Sequence, residues 1–324
     1  MTHAIRFHRT GGPEVLQWET VSVGEPGPGE VRLGQVACGL NFIDIYYRTG
    51  LYPTPLPAGL GLEGAGTVEA VGPGVTGLAP GDRVAYAGGP IGAYAEARLL
   101  PAHRLVKLPD TIDFQTGAAM MLQGLTAAYL LHRTYPVQAG DTVLIHAAAG
   151  GVGLIACQWA KALGARVIGT VSSEAKAELA RAHGCDHPIL YTRENFPARV
   201  REITDGEGVA VVYDSVGKDT YAGSLDSLRP LGTLVCFGNA SGPVPPLDPL
   251  ALCGKGSLFF TRPKLADYTA KREDLEALAA KLFAVVQSGQ VKIEVRQTFP
   301  LKEAAAAQEA LAARLTTGST VLLV

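Results

Sequence analysis

The stretch from Asp141 to Ser173, DTVLIHAAAGGVGLIACQWAKALGARVIGTVSS, leaves this chain the fewest options. An apolar run ending at Ala147 reads as a buried strand. Glycines follow at 150, 151 and 153. Val152, Ile155, Ala156, Trp159 and Leu163 then recur at helical spacing, and Gly164 suits a helix C-cap. A second apolar run, RVIGTV, comes next. Strand, glycine loop, amphipathic helix and strand in this order are what a dinucleotide-binding βαβ unit requires. The glycines let the backbone approach a pyrophosphate, and the helix N-terminus offers N–H groups to its charge. The loop reads A-x-x-G-x-x-G through Ala147, Gly150 and Gly153, so alanine replaces the first glycine of G-x-G-x-x-G. Gly150, Gly151, Val152 and Gly153 are expected against the pyrophosphate.

The surrounding chain extends the pattern. A helical period begins near Thr111, and helices then alternate with the strands HPIL, GVAVVYDSV, GTLVCFG and SLFFT (257–261). Nearly continuous apolar strands alternating with helices predict a doubly wound parallel sheet. Residues 1–120 differ. Short runs such as VRLGQVAC (31–38), GTVEAVG (66–72), DRVAYA (82–87) and AYAEARLL (93–100) lie between Gly- and Pro-rich turns, which predicts a β sandwich or barrel. A helix (268–287), a strand (291–296), an alanine-rich helix (302–314) and the strand STVLLV close the chain. A length of 324 residues fits two domains of ~100–200 residues each.

Composition narrows the partners. With 28 Lys+Arg against 30 Asp+Glu and no basic cluster, nothing advertises nucleic acid. No apolar run reaches the ~18 residues of a membrane span, and the N-terminus lacks a signal-peptide core. Five dispersed cysteines without C-x-x-C read as free thiols in a reducing compartment, so the expected location is the cytoplasm.

The end of the second strand bears on the choice of nucleotide. NAD binders carry an acid there, ~20 residues after the loop, for the ribose hydroxyls. This chain has Ser172 and Ser173, with Lys176 one turn on. Small hydroxyls and a lysine suit a 2'-phosphate, so NADPH is expected. Glu174 is the competing feature; it reads as a first-turn acid facing a helix dipole. Lys176 reads equally as a solvated helix lysine.

Read in order, GGPEVL (11–16), NFIDIYYRTGLYP (41–53), GLEGAG (61–66), HAAAGGVG (146–153), VVYDSVG (211–217) and FGNASG (237–242) give the chain a family likeness over essentially its whole length. It resembles the medium-chain dehydrogenase/reductase superfamily and, within it, the zinc-free quinone oxidoreductase (zeta-crystallin-like) branch. The resemblance implies an α/β protein of two domains. A GroES-like β-rich catalytic domain would comprise 1–121 and 264–324, a Rossmann NADPH-binding domain 122–263, and the active site would lie in the cleft between them.

In the superfamily's zinc enzymes one ligand is the Cys of C-x-x-D and another the His of G-H-E. The matching positions here are Asn41 in NFID and Leu62 in GLE. Leucine cannot ligate, and an amide is a poor zinc ligand. The four-cysteine structural lobe is missing too, so no metal is expected. Without a Lewis acid to draw off an alcohol proton, the implied chemistry is electron or hydride transfer from NADPH to an acceptor that is already electrophilic, a quinone or an enone.

The resemblance also assigns residues. Asn41 would sit by the nicotinamide and the substrate carbonyl, its amide donating to a developing oxyanion. Tyr46 and Tyr52 would line the slot for a flat ring, with Tyr52 the better hydrogen-bond candidate and Tyr47 facing the core. Gln123 and Arg262 would border the substrate. Thr126, Ser172, Lys176, Tyr191, Ser215, Phe237, Gly238, Asn239 and Arg314 would join the loop glycines around the cofactor. Each tyrosine also has a plain structural reading, and so does Arg314 as a cation at a helix end. Asp44 and Glu63 are expected to pack or hydrogen-bond near the cofactor, and His146 to be a packed strand residue. No Ser-His-Asp order or H-E-x-x-H supplies a proton donor, so water or a tyrosine hydroxyl is expected to do so. The other readings are an NADPH-dependent alkenal or enone double-bond reductase, and a recruited, non-catalytic crystallin-like or RNA-binding protein. SLFFT is expected to end the sheet. An apolar edge strand calls for cover, which a homodimer would supply.

Overall fold

A computed structural model describes all residues, 1–324. The chain forms two compact units. One comprises Met1–Leu125, Thr269–Gln287 and Ile293–Val324; the other comprises Thr126–Tyr268 and Ser288–Lys292. The expected limits, 121/122 and 263/264, fall a few residues earlier in the chain.

The first unit opens with β1 (Thr2–Phe7), β2 (Gln17–Val21), β3 (Glu30–Leu40), α1 (Phe42–Thr49), β4 (Ala58–Gly59), β5 (Glu63–Val71), β6 (Arg83–Ala87), β7 (Ala97–Pro101) and β8 (Val106–Lys107). β1 pairs with β2 and β4 in a small antiparallel sheet. β3 organises the larger one, with Val31, Leu33, Ala37 and Cys38 fully buried. From Val31 to Cys38 it pairs with β5, and β7 covers the first half of its other edge. Of the expected strand 93–100, only the part from Ala97 joins this sheet. The Tyr94 peptide bonds instead to Leu60 and Ile5.

α2 (Phe114–Tyr129) leads into the second unit: β9 (Thr142–Ile145), α3 (Gly151–Ala162), β10 (Arg166–Val171), α4 (Glu174–Ala182), β11 (His187–Leu190), α5 (Phe196–Ile203), β12 (Val209–Asp214), α6 (Tyr221–Ser227), β13 (Leu228–Cys236), α7 (Pro249–Gly254), β14 (Phe259–Thr261) and α8 (Leu265–Tyr268). The strands stand in the order β11-β10-β9-β12-β13-β14, all parallel. Numbered within the unit this is 3-2-1-4-5-6, the doubly wound order that places ligands at the carboxyl ends of the strands. Leu144, Ile168, Val212 and Leu234 fill the sheet's interior. β14 is the edge strand, and Phe259 on it is 60% exposed.

The chain then returns through α9 (Arg272–Gln287), β15 (Val295–Pro300), α10 (Ala304–Ala312) and β16 (Ser319–Leu323). β16 covers the second half of β3, pairing Thr320 with Leu40 and Val321 with Gly39. The expected strand 291–296 begins only at Val295. The Gln158 side chain bonds both the N–H and the carbonyl of Lys292, taking the groups a sheet partner would need. The expected helix 268–287 is broken between Tyr268 and Arg272, and the Tyr268 ring stacks on Tyr129 at 4.3 Å. All five cysteines are unbridged. No helix is long and apolar enough to cross a membrane.

Candidate active site

The glycine loop has the form the sequence leads one to expect, with two local adjustments. Ala147 takes the left-handed conformation, φ 53°, at which an L side chain is strained. Ala148 is fully buried, and Gly169 on β10 leaves room for its methyl group: a Cβ on Gly169 would lie 2.6 Å from Ala148 Cβ. Gly153 has no freedom, since a Cβ there would lie 2.2 Å from the Ala147 carbonyl oxygen. Gly150 is the N-cap of α3. It has no side chain to cap the first turn, and that turn holds no acid. The N–H groups of Gly151, Val152 and Gly153 precede the first intrahelical donor, Leu154, which bonds the Gly150 carbonyl at 2.9 Å. This is an open anion site of the kind a pyrophosphate fills.

Beside it, parallel pairing sets Val171 against Leu190, so Ser172 and Tyr191 emerge together from the ends of β10 and β11. Ser173 caps α4, its Oγ accepting from the Lys176 N–H at 3.4 Å. Glu174 lies 3.5 Å from Arg193, a cation that periodicity and motif gave no reason to single out. The acid that competed for a ribose role is thus turned toward an arginine.

Farther along the same sheet edge, Asp214 accepts from the N–H groups of Val216 (2.8 Å) and Gly217 (3.0 Å), which fixes the turn carrying Ser215. Gly238 admits the Ser215 carbonyl, 2.3 Å from where a Cβ would stand. With its amide turned so that both ends are satisfied, Asn239 donates to the Gly238 carbonyl (3.0 Å) and accepts from Arg262 Nη2 (3.2 Å). Arg262 Nη1 also donates to the Pro263 carbonyl at 3.1 Å. Ser215, Phe237, Gly238, Asn239 and Arg262 therefore form one group at the ends of β12, β13 and β14. His146 is buried between Thr170 (2.8 Å) and Ser224 (3.0 Å), and burial lowers its pKa.

The first unit gathers a second set. β3 delivers Asn41 to the N-cap of α1, where its N–H donates to Asp44 Oδ2 at 2.9 Å. Asn41 Nδ2 donates to Glu63 Oε2 at 2.7 Å, and Gln123 Nε2 donates to Asn41 Oδ1 at 3.2 Å. Glu63 Oε1 accepts the Leu122 N–H from α2 at 2.7 Å, and Tyr94 donates to Asp44 Oδ2 at 2.7 Å. Ser319, at the start of β16, lies 2.7 Å from Gln123 Oε1. Burial pushes Glu63 up to about 8 and Asp44 up to about 7, against the hydrogen bonds that favour their charged forms. Leu62, the other position that matches a metal ligand, is buried hydrocarbon.

On α1, Tyr46 is buried, and its ring meets the half-buried Tyr52 at 5.3 Å, edge to face. Tyr47 also touches Tyr52, at 5.7 Å, and packs on the core around Ile5 and Leu322. Thr126 is buried on α2. Arg314 is exposed just past α10, with φ 61°. Sequence reasoning missed Ser319 altogether and placed Glu63 only as a residue that packs or hydrogen-bonds near the cofactor, without its partners. A charged residue inside the glycine-rich run GLEGAG was the available signal.

Comparison with known proteins agrees with this architecture. Residues 27–110 match the family described as alcohol dehydrogenase GroES-like domain, and residues 151–283 match zinc-binding dehydrogenase. A quinone oxidoreductase of Pseudomonas aeruginosa is 58% identical over 100% of both chains. A 2-haloacrylate reductase of Burkholderia sp. is 50% identical, covering 100% of this chain and 99% of its own. The crystal structure of Escherichia coli quinone oxidoreductase complexed with NADPH superposes with a TM-score of 0.98 at 47% identity, covering 99% of this chain and 100% of that one.

Two outcomes follow from the geometry. Gly153→Ala should cost about 1–3 kcal/mol through forced backbone movement and weaken NADPH binding. Ala147→Gly should leave the melting temperature unchanged or raised, because relief of strain offsets the added freedom of the unfolded chain. Thermal melts and nucleotide titration of both variants check this. Second, Glu63 binds its proton in the folded chain up to about pH 8, but in the unfolded chain only to about 4.3. Its contribution to stability should therefore fall as pH rises through that window and level off above it. Buried His146 acts in the opposite sense, so the difference between wild type and Glu63→Gln isolates the carboxyl. Glu63→Gln should flatten the fall of melting temperature from pH ~5 to ~8.

Proposed function

We infer from one premise, that this chain belongs to the zinc-free quinone oxidoreductase branch of the medium-chain dehydrogenase/reductase superfamily, that it is an NADPH-dependent oxidoreductase with a quinone as acceptor. The observation that carries the cofactor is the uncapped, acid-free N-terminus of α3 behind a loop that excludes a Cβ at Gly153. It is joined by Ser172, Tyr191 and Lys176 around the ends of β10 and β11. Bound there, NADPH would supply a hydride, or the equivalent electrons, to the acceptor. Gly150, Gly151, Val152 and Gly153 would hold the pyrophosphate. Ser172, Lys176 and Tyr191 would take the 2'-phosphate, with Ser215, Phe237, Gly238, Asn239, Thr126 and Arg314 completing the cofactor contacts.

Asn41 would face the nicotinamide and the acceptor carbonyl. Its amide has one N–H committed to Glu63 and a second left to stabilise charge on the acceptor oxygen. Tyr46 and Tyr52 would hold the acceptor ring, with Gln123 and Arg262 bordering it. Hydride would deliver both electrons and one of the two hydrogens that a hydroquinone needs; water or the Tyr52 hydroxyl would supply the other as a proton. The relative named 2-haloacrylate reductase favours a second reading on the same residues, reduction of an activated alkene. The near balance of 28 cationic and 30 anionic side chains favours a small-molecule substrate over nucleic acid. Five unbridged cysteines support a cytoplasmic setting. The exposed apolar edge strand β14 supports a homodimer formed along it.

The test is the loss of NADPH absorbance with a benzoquinone, phenanthrenequinone and an alkenal, each repeated with NADH and with a chelator. Chelator-resistant turnover of quinones with NADPH is expected. Turnover of the alkenal alone would move the assignment to the double-bond reductase, and equal rates with NADH would overturn the 2'-phosphate site. Lys176→Ala should raise KM for NADPH about ten- to a hundredfold, the weight of a hydrogen bond to a charged group. It should leave kcat and the KM for NADH unchanged.

A further inference from the structure

Four polar side chains that lie far apart in the sequence form one continuous hydrogen-bonded line in the first unit. Glu63 Oε2 is 2.7 Å from Asn41 Nδ2, Asn41 Oδ1 is 3.2 Å from Gln123 Nε2, and Gln123 Oε1 is 2.7 Å from Ser319 Oγ. None of the four is more than 7% exposed. The two ends are special. Glu63 Oε1 is held by the Leu122 N–H, so Oε2 is the oxygen that faces the amides. Ser319 Oγ has one proton and two acceptors in reach, Gln123 Oε1 and the Ala119 carbonyl, the latter at 3.0 Å.

Each amide has a donor end and an acceptor end, so the line has a direction, and two directions satisfy it; the Asp44 N–H, which approaches the Asn41 side chain in the capping box, keeps the Asn41 backbone carbonyl at 3.0 Å in both. With Glu63 ionised, Ser319 donates to Gln123, Gln123 to Asn41, and Asn41 to the carboxylate. With a proton on Oε2, Glu63 donates to the Asn41 carbonyl oxygen and Asn41 donates to that of Gln123. Gln123 then donates to Ser319 Oγ, and the serine proton turns to Ala119. Each reversal is a rotation of one amide that exchanges its nitrogen and oxygen. Reversing one amide alone would set donor against donor or acceptor against acceptor in a buried place, which is costly. The amides therefore turn together.

We propose that this line is a two-state relay in which the proton on Glu63 sets the direction of the Asn41 amide, making Glu63 a positioning residue for the acceptor. The proposal rests on the function inferred above for Asn41. Rotation exchanges Asn41's remaining N–H for a carbonyl lone pair, so a group facing it meets a donor in one state and an acceptor in the other.

The surroundings keep both states within reach. Asp44 on α1, Cys38 on β3 and Tyr86 on β6 are the titratable groups whose charge Glu63 feels or influences. Arg98 on β7 is bonded to the Tyr86 hydroxyl at 3.3 Å. Burial and Asp44 favour the proton, while the Asn41 and Leu122 donors favour the charge. Gly39 makes the approach possible, since a Cβ there would stand 2.1 Å from Glu63 Oε2.

The test is a pH titration of the side-chain amide NMR signals of Asn41 and Gln123 in the full chain, alongside kcat with NADPH and a quinone. The two amides should move together with an inflection at about pH 8, apart from any effect of Asp44 near 7 on Asn41 alone, and kcat should change about tenfold or more across it. Glu63→Gln should abolish both inflections while NADPH affinity stays within about twofold. Amides that stay flat, or a joint inflection at about pH 8 that persists in Glu63→Gln, would overturn the relay. The wild-type amide titration needs no variant, so it decides the matter even if Glu63→Gln fails to fold. Amides that titrate together in a protein that reduces no quinone would uphold the relay and sink the function proposed above. Flat amides with quinone turnover would do the reverse.

Discussion

A carboxyl group shut away from water must find hydrogen bonds on every side or give up its charge. Glu63 is fully buried, and much of the first unit is arranged around that condition. α2 is placed so that the Leu122 N–H reaches one oxygen, and Asn41, at the junction of β3 and α1, covers the other. Gly39 in β3 clears the space between them. β16 pairs with the end of β3 in a register that puts Ser319 beside Gln123. These contacts tie three strands and two helices to one group. Asn41, the side chain proposed to face the acceptor, lies at the centre of these contacts.

The nucleotide unit solves a different problem with similar means. A phosphate site needs backbone N–H groups that nothing else has claimed. α3 provides them because its cap position is glycine and its first turn carries no acid. α4, one strand away, is treated in the opposite manner, with Ser173 capping its backbone and Glu174 turned toward Arg193. The loop before α3 must also turn tightly, and here Ala147 accepts a left-handed conformation that a glycine would adopt without strain. The methyl group of Ala148 is accommodated from outside the loop, by Gly169 on the neighbouring strand. The departure from G-x-G-x-x-G is thus compensated in β10 rather than in the motif.

What could be read from the sequence was what short-range pattern determines. The βαβ unit from Asp141 to Ser173 declares itself because strand, turn and helix each carry their own periodicity, and SLFFT does stand at the edge of the sheet. The misses have long-range causes. The strand expected from 291 starts at Val295 because a glutamine from α3 takes the Lys292 backbone. The strand expected from 93 starts at Ala97 because loop residues claim the Tyr94 peptide. Ser319 could not be linked to Gln123 at all, since 196 positions separate them and nothing in the final strand singles the serine out. Asn41 and Glu63 were visible as residues, but the bond between them was not.

That bond bears on how the site differs from a metal centre. At the positions where related zinc enzymes carry Cys and His, this chain has an amide and a hydrocarbon side chain, Asn41 and Leu62. A metal fixes its ligands through strong directional bonds and supplies positive charge. An amide supplies a weaker dipole, and its value depends on which way it points. A site built on Asn41 therefore needs something to set that direction. The amides of Asn41 and Gln123, anchored at one end by a carboxyl group and at the other by a hydroxyl with two acceptors, are suited to that task. The orientation that a metal would impose by coordination would here be imposed by a chain of hydrogen bonds. Under the proposed relay such a chain reverses, which would give an acceptor site at Asn41 a proton-dependent polarity that a fixed cation would not have.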